Sequence, residues 1–261
     1  GNMEAVQFHP TAIFPAGILV TEGCRGDGGL LLDGREHRFM PDYEPDKAEL
    51  ASRDVVSRRM EEHIGAGHAA RSRFGEHLWL DIRHLGRQWV WKNLREIATI
   101  ATNFNGIDPA KELVPVIPTQ HYTMGGIRTN KDGAAYGLKG LFAMGEAACW
   151  DLHGFNRLGG NSLAETVTAG YICGKQVAKY TLGATQNFNM KMVEGFVKKE
   201  EERIKNLISG KNGRENVYEI RDAMGTAMMD HVHIFRTGKS LEQGVVKLQE
   251  LYKRSLKIGL R

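Results

Sequence analysis

The sequence predicts a mixed fold, α+β and α/β, that ends in a helical segment, and three observations predict it. Hairpins and helices are interleaved over roughly residues 10–115, the pattern of an α+β unit. Gly140-Leu-Phe-Ala-Met-Gly-Glu146 is a short apolar run that reads as a buried parallel strand, and it precedes an amphipathic helix beginning at Ser162. From about Phe188 onward the apolar spacing is helical.

Taken in order, Met3 to Pro10 is strand-like and ends in His9-Pro10-Thr11, and the apolar run Gly17 to Val20 delivers Thr21-Glu22-Gly23 beside it. Asp33-Gly34 predicts a type I′ hairpin turn between Leu30 and Phe39, since both central positions of that turn need positive φ. Ser52 predicts the cap of a helix that buries Val56, Met60 and Ile64 and stops at Gly65. His77 to Ile82 reads as a strand. Arg87 to Thr102 reads as one helix with Val90, Leu94 and Ile97 inward. The proline-rich Val114 to Pro118 predicts a crossing between domains, and Asn130 to Gly133 a turn between two strands. Ser162-Leu-Ala-Glu165 has capping-box spacing before Val167, Tyr171 and Ile172, and Ser240 with Gln243 has the same spacing on the last helix. The Met224 to Met229 run reads as bundle core.

With 261 residues, 41% hydrophobic and 25% charged, the chain has material for two domains and a sizeable core, which excludes disordered and fibrous classes. The net charge of +4 is spread without a basic block, so nucleic acid is not expected as a partner. Cys24, Cys149 and Cys173 form no C-x-x-C pair and read as reduced, buried thiols. His63, His68, His77, His84, His231 and His233 lack zinc-ligand spacing; they read as partly exposed side chains, and no metal site is expected. No apolar run approaches the roughly 20 residues that span a bilayer. The chain opens inside a strand-like segment and holds no G-x-G-x-x-G, so it reads as a fragment of a longer polypeptide.

The stretch His153 to Leu163, HGFNRLGGNSL, carries the most chemistry. Gly159 and Gly160 allow close backbone approach to a flat ligand, Arg157 offers a planar fork for a carboxylate, and a helix start presents unsatisfied N–H groups and partial positive charge. Glu146, at the carboxyl end of its run, can accept hydrogen bonds from a sugar-like hydroxyl. By spacing alone the stretch is equally a glycine loop with a surface arginine.

MEAVQFHPT, TEGCRGDGG, ELASRDVVSR, LDIRHLG, QHYTMGGIRT and HGFNRLGGNSL occur in the order, and about the spacing, of the flavoprotein subunits of fumarate reductases and succinate dehydrogenases, which the chain resembles through much of its length. MEAVQFHPT, RFMPDYEP and GFNRLGGNS together look like the menaquinone-linked bacterial fumarate reductases. The resemblance implies that residues 1–9 end a first flavin-domain segment, 10–117 form a capping domain, 118–183 the returning part of a Rossmann-like FAD-binding domain, and 184–261 the start of a helical domain. The G-x-G-x-x-G and the histidine that bonds FAD covalently would lie outside this sequence.

Residue by residue, the resemblance places His9, Thr21, His121 and Arg157 around a dicarboxylate, His9 also counting as catalytic. It makes Arg53 the proton donor, with Glu22 and Arg25 in a proton path, and puts Glu146, Arg157, Asn161, Ser162 and Leu163 against FAD. It implies interconversion of fumarate and succinate, with an iron-sulfur subunit and a membrane cytochrome b or anchor subunit carrying menaquinone as partners. The protein would sit, without inserting, on the cytoplasmic face of the inner membrane. An L-aspartate oxidase-like flavoenzyme, which shares N-R-x-x-x-N-S-L, and a non-catalytic fragment lacking half of the FAD site are the other readings.

Overall fold

Val6–Ile13 forms a strand (β1), buried throughout from His9 on, which returns through residues 14–17 as Ile18–Leu19 (β2). Residues 1–184, 189–209 and 213–259 are described in the computed structural model of the chain, which divides into two compact units, Gly1–Gly183 and Ala184–Arg261. In the first unit a single turn, Gly23–Gly26 (α1), leads to Leu30–Leu32 (β3), a second turn at Met40–Tyr43 (α2) and the helix Arg53–Gly65 (α3). The hairpin Ala70–Ser72 (β4) and Gly75–Asp81 (β5) follows, then Arg87–Asn93 (α4), Arg95–Asn105 (α5) and the long strand Val114–Thr123 (β6).

These strands form one antiparallel sheet in the order β2-β1-β6-β5-β3, with β4 paired to β5. Ile13, Leu31, Leu78, Leu80 and Val116 on the sheet pack with Val56 and Met60 of α3 and Val90 and Ile97 of the α4–α5 pair in one continuous core. After β6 come Ile127–Arg128 (β7) and Ala148–Cys149 (β8), a parallel pair, and the helix Asn161–Gly183 (α6). The second unit consists of Met190–Ile208 (α7), Val217–Val232 (α8) and Gly238–Ser255 (α9), each begun by a side chain accepting a backbone N–H: Asn189, Asn216 and Thr237. Phe188, from which helix is expected, lies outside the described residues.

Several expectations are corrected by particular contacts. Asp33-Gly34 is not a type I′ turn: the left-handed residue is Glu36, at φ 60°, and the Asp33 carboxylate gathers the N–H groups of Arg35 and His37 at 2.8 and 2.9 Å. Ser52 precedes α3, but its hydroxyl donates to Asp54 at 2.6 Å instead of capping. The helix expected over 87–102 breaks at Leu94, where Asn93 donates its side-chain amide to Trp89 O at 3.2 Å and competes with the backbone ladder. Val114 to Pro118, where a crossing between domains is expected, is strand: it lies within β6 between β1 and β5.

Gly140 to Glu146 is not a strand, because Gly140 and Gly145 take left-handed φ and Glu146 lies on a single 3₁₀ turn; the parallel pairing falls on β8. The capping box at Ser162 does not form, since Glu165 turns inward to Tyr122 and His153. With Glu165, Ala169 and Cys173 buried on that side, Val167 and Tyr171 are exposed. The cap of α9 is Thr237; Ser240 bonds His231 O instead. Met224, Met228 and Met229 stay exposed rather than forming core. His63 and His77 are buried, stacked on Phe39 and Phe14. The cysteines are free and buried, as expected.

Gly34 is required for close approach: a Cβ there would lie 2.6 Å from Ala69 O and 2.8 Å from Ala70 N. Gly34→Ala is therefore expected to destabilise the chain by about 1–3 kcal/mol through overpacking. Equilibrium denaturation checks this, and an unchanged midpoint would mean that residues 68–70 yield freely.

Candidate active site

The site begins with two interruptions in the β1–β6 ladder. His9 pairs with Thr119, and the next pair is Ala12 with Ile117, so Pro10 and Thr11 together oppose one residue of β6. Pro10 has no N–H to give, and the Thr11 N–H, freed from the ladder, donates to His9 Nδ1 at 3.2 Å. With Nδ1 accepting, a neutral His9 carries its proton on Nε2. That Nε2 is buried and has no hydrogen-bond partner. Burial, followed by the charges of Arg53 and Arg25 and by His121, lowers the pKa of His9 to about 2.

The second interruption is on β6. Gln7 pairs with Tyr122 and Phe8 with Gln120, leaving His121 as the extra residue. His121 meets His9 edge to face with ring centroids 5.4 Å apart. Arg157 Nη2 donates to His121 Nε2 at 3.1 Å, so His121 is an acceptor there. Burial and the charges of Arg53 and Arg157 lower its pKa as well.

Arg157 is no surface residue: it is 4% exposed, donates Nη1 to Leu158 O at 3.0 Å, and lies with its guanidinium 4.3 Å from the Tyr122 ring centroid. Gln7 ties its loop down, donating Nε2 to Arg157 O at 2.6 Å and to Asn156 Oδ1 at 2.8 Å. Gln7 Oε1 accepts from Arg53 Nη1 at 3.2 Å. Asn156 completes the link by donating to Asp54 Oδ1 at 2.8 Å, on the residue that follows Arg53 in α3.

Arg53 pairs through Nε with Glu22 Oε2 at 2.6 Å. Gly159 lies against this pair: a Cβ there would stand in ordinary contact, 3.4 Å from Glu22 Oε2 and 3.5 Å from Arg53 Nη2. Arg25 is buried behind it, donating Nη1 to Glu49 O while Nε and Nη2 are without partners. Burial first, and Arg53 among the nearby charges, lowers the pKa of both Arg25 and Arg157. Three guanidiniums thus act on one another across a cluster in which Glu22 is the directly paired carboxylate.

The remaining expected residues stand further out. Thr21 is exposed and accepts Gly23 N–H at 3.4 Å. Glu146 accepts Thr123 N–H at 2.9 Å and acts electrostatically on His121 and Arg157. Ser162 lies near the Tyr122 hydroxyl. Asn161 lines a cavity of about 330 Å³ with Trp150, His153 and Glu165. The Leu163 side chain is 75% exposed.

Residues 1–163 match the family model described as FAD binding domain, and residues 221–261 the one described as Fumarate reductase flavoprotein C-term. The chain belongs to the fumarate reductase and succinate dehydrogenase flavoprotein family. It is 52% identical to the fumarate reductase flavoprotein subunit of Helicobacter pylori over its whole length, and 40% identical to that of Escherichia coli over 99% of it. It spans 40% and 44% of those two proteins. A solved Escherichia coli quinol fumarate reductase superposes over 99% of the chain and 46% of its own with a TM-score of 0.86 at 38% identity.

In this member of the family, sequence reasoning passed over Gln7, Asp54, Tyr122, Asn156 and Glu165. Gln7 was within reach: it lies two residues before His9 and so on the same strand face. The others depend on pairings across more than 40 residues, and neither periodicity nor local spacing carries these.

The depressed His9 pKa has a thermodynamic consequence. The unfolded chain takes up a proton near pH 6.5 that native His9 refuses until about pH 2, so stability falls as pH drops below about 6.5. Each such histidine contributes at most about 1.4 kcal/mol per pH unit. Denaturation midpoints between pH 7 and 4 should show a shallower pH dependence for His9→Gln than for the parent chain.

Proposed function

We propose that the protein of which this chain forms part interconverts fumarate and succinate at FAD. The observation that carries this reading is the excess of unmatched donors: His9 Nε2, Arg25 Nε and Nη2 and Arg157 Nε are buried without partners, beside a guanidinium cluster directly paired with one carboxylate. Buried polar groups are ordinarily satisfied, so a small dianion is the occupant that suits them.

The residues present also suit FAD. The first turn of α6, with Asn161, Ser162 and Leu163, offers N–H groups and positive dipole, Glu146 offers a carboxylate, and the buried Trp150 Nε1 in the neighbouring cavity wall is without a partner. These residues would hold the cofactor, which when bound supplies the hydride for fumarate reduction.

Arg157 and His9 then hold and polarise a carboxylate, and charge developing on the adjacent carbon is stabilised by the cations already in place. Arg53 delivers the proton to that carbon, and Glu22, 2.6 Å from Arg53 Nε, returns one to it, with Arg25 next in the path. The hydride and this proton together convert fumarate to succinate. Electrons would pass between FAD and menaquinone through an iron-sulfur subunit and a membrane anchor. Among the described residues no helix is long and apolar enough to cross a membrane, which accords with attachment through partners.

Single-turnover oxidation of prereduced flavin by fumarate in the full-length enzyme tests the assignment. Arg53→Lys is expected to lower the rate by orders of magnitude while a separate titration shows fumarate still bound, because a transition-state interaction is removed. Oxidation at the parental rate would exclude Arg53 as donor. Arg157→Lys should lose at least about tenfold in turnover, since an ammonium cannot reproduce the planar fork; normal turnover with normal flavin content would exclude the clamp.

A further inference from the structure

Against Arg157 lies a buried polar chain to which the proposed reaction assigns no role. Its members come from β6, the loop before α6, and α6 itself. The guanidinium of Arg157 lies over the Tyr122 ring, and the Tyr122 hydroxyl donates to Glu165 Oε2 at 3.1 Å. The same oxygen meets His153 Nε2 at 2.8 Å, and the His153 and Tyr122 rings stand edge to face 5.8 Å apart. The His153 and Glu165 side chains are 7% and 5% exposed, so this is an interior contact rather than a screened surface pair. Ser162, one turn before Glu165 on α6, lies near the same hydroxyl.

A cation over an aromatic ring is held against the ring's face but is free to slide and rotate across it. Fixing the ring therefore fixes the plane on which the guanidinium rests. The only firm polar handle on that ring is its hydroxyl, and Glu165 holds it. Glu165 is in turn held by His153, four residues before Arg157 on the same loop, so the chain of contacts closes on itself.

We propose that Tyr122, Glu165 and His153 are positioning residues for Arg157, setting the plane and angle of the guanidinium that receives the substrate carboxylate. This rests on the reading of Arg157 as the substrate clamp. Through Glu165 the same hydroxyl also ties the clamp to α6, so one phenol registers the substrate side of the site to the helix whose start is proposed for the cofactor. A small tilt of a clamp is costly because reacting groups tolerate little displacement.

A double-mutant cycle in the full-length enzyme tests the proposal. Tyr122→Phe keeps the ring and removes only its handle, and Glu165→Gln keeps the shape of the acceptor and removes its charge; each is combined with Arg157→Lys. Expected is a loss of at least about fivefold in kcat/KM for fumarate from either single change, with flavin content and thermal midpoint near parental. In the Arg157→Lys background the same changes should cost less than about twofold, because the group they aim is gone. Equal losses in both backgrounds, or parental kcat/KM in both single variants, would overturn the positioning role. A defect of Tyr122→Phe explained by lost folding is separated by Glu165→Gln, which must show the same non-additivity. Should Arg157→Lys itself turn over normally, the clamp reading fails instead, so the two failures are distinguishable.

Discussion

The pairing of β1 with β6 is the constraint on which the site depends. Neither strand could deliver its functional side chains if the ladder were regular, because a period of two would leave His121 on the opposite face from Tyr122 and Gln120. The extra residue on each strand changes this. One bulge frees a backbone N–H that settles the tautomer of His9, and the other brings His121 within reach of Arg157. The apolar core beneath, from Ile13 and Val116 to Met60, keeps both irregularities in place, since a slip in register would expose it.

Local chemistry in the chain made much of this legible, and long-range pairing accounts for what was not. Strand β5 and helix α3 followed from short apolar patterns and stand close to where those patterns put them. Asp33-Gly34 and Ser162-x-x-Glu165 misled for different reasons: the Asp33 carboxylate gathers backbone N–H groups two and four residues on in place of the two-residue turn, whereas Glu165 finds partners in the folded interior. Val114 to Pro118 gave no sign of being strand, because Pro118 sits where the register is already broken and composition does not reveal that. The ordered motifs singled out His9, Glu22, Arg25, Arg53, His121 and Arg157, and the fold brings these into mutual electrostatic reach. Gln7 and Asn156, which tie them together, carry no charge and no motif of their own.

The cluster concentrates positive charge where water is scarce. Such an arrangement opposes folding, since each guanidinium has lost hydration and feels its neighbours. Arg25 and Arg157 both show that cost in depressed pKa values with burial as the first cause. A bound dianion would relieve it, so ligand and fold are thermodynamically linked: whatever fills the cluster also stiffens the sheet edge and loop that build it.

The hydrogen bond from Asn156 to Asp54 has one more consequence. It joins the loop that carries Arg157 to the helix turn that carries Arg53, and Gln7 braces the same junction from β1. Parting loop from helix would release the two arginines from common register in a single motion. On the proposed reading this gives the molecule an interlock: the contacts that hold loop to helix are also the ones that aim the proton, so a geometry that admits solvent is one in which the proton has nowhere useful to go.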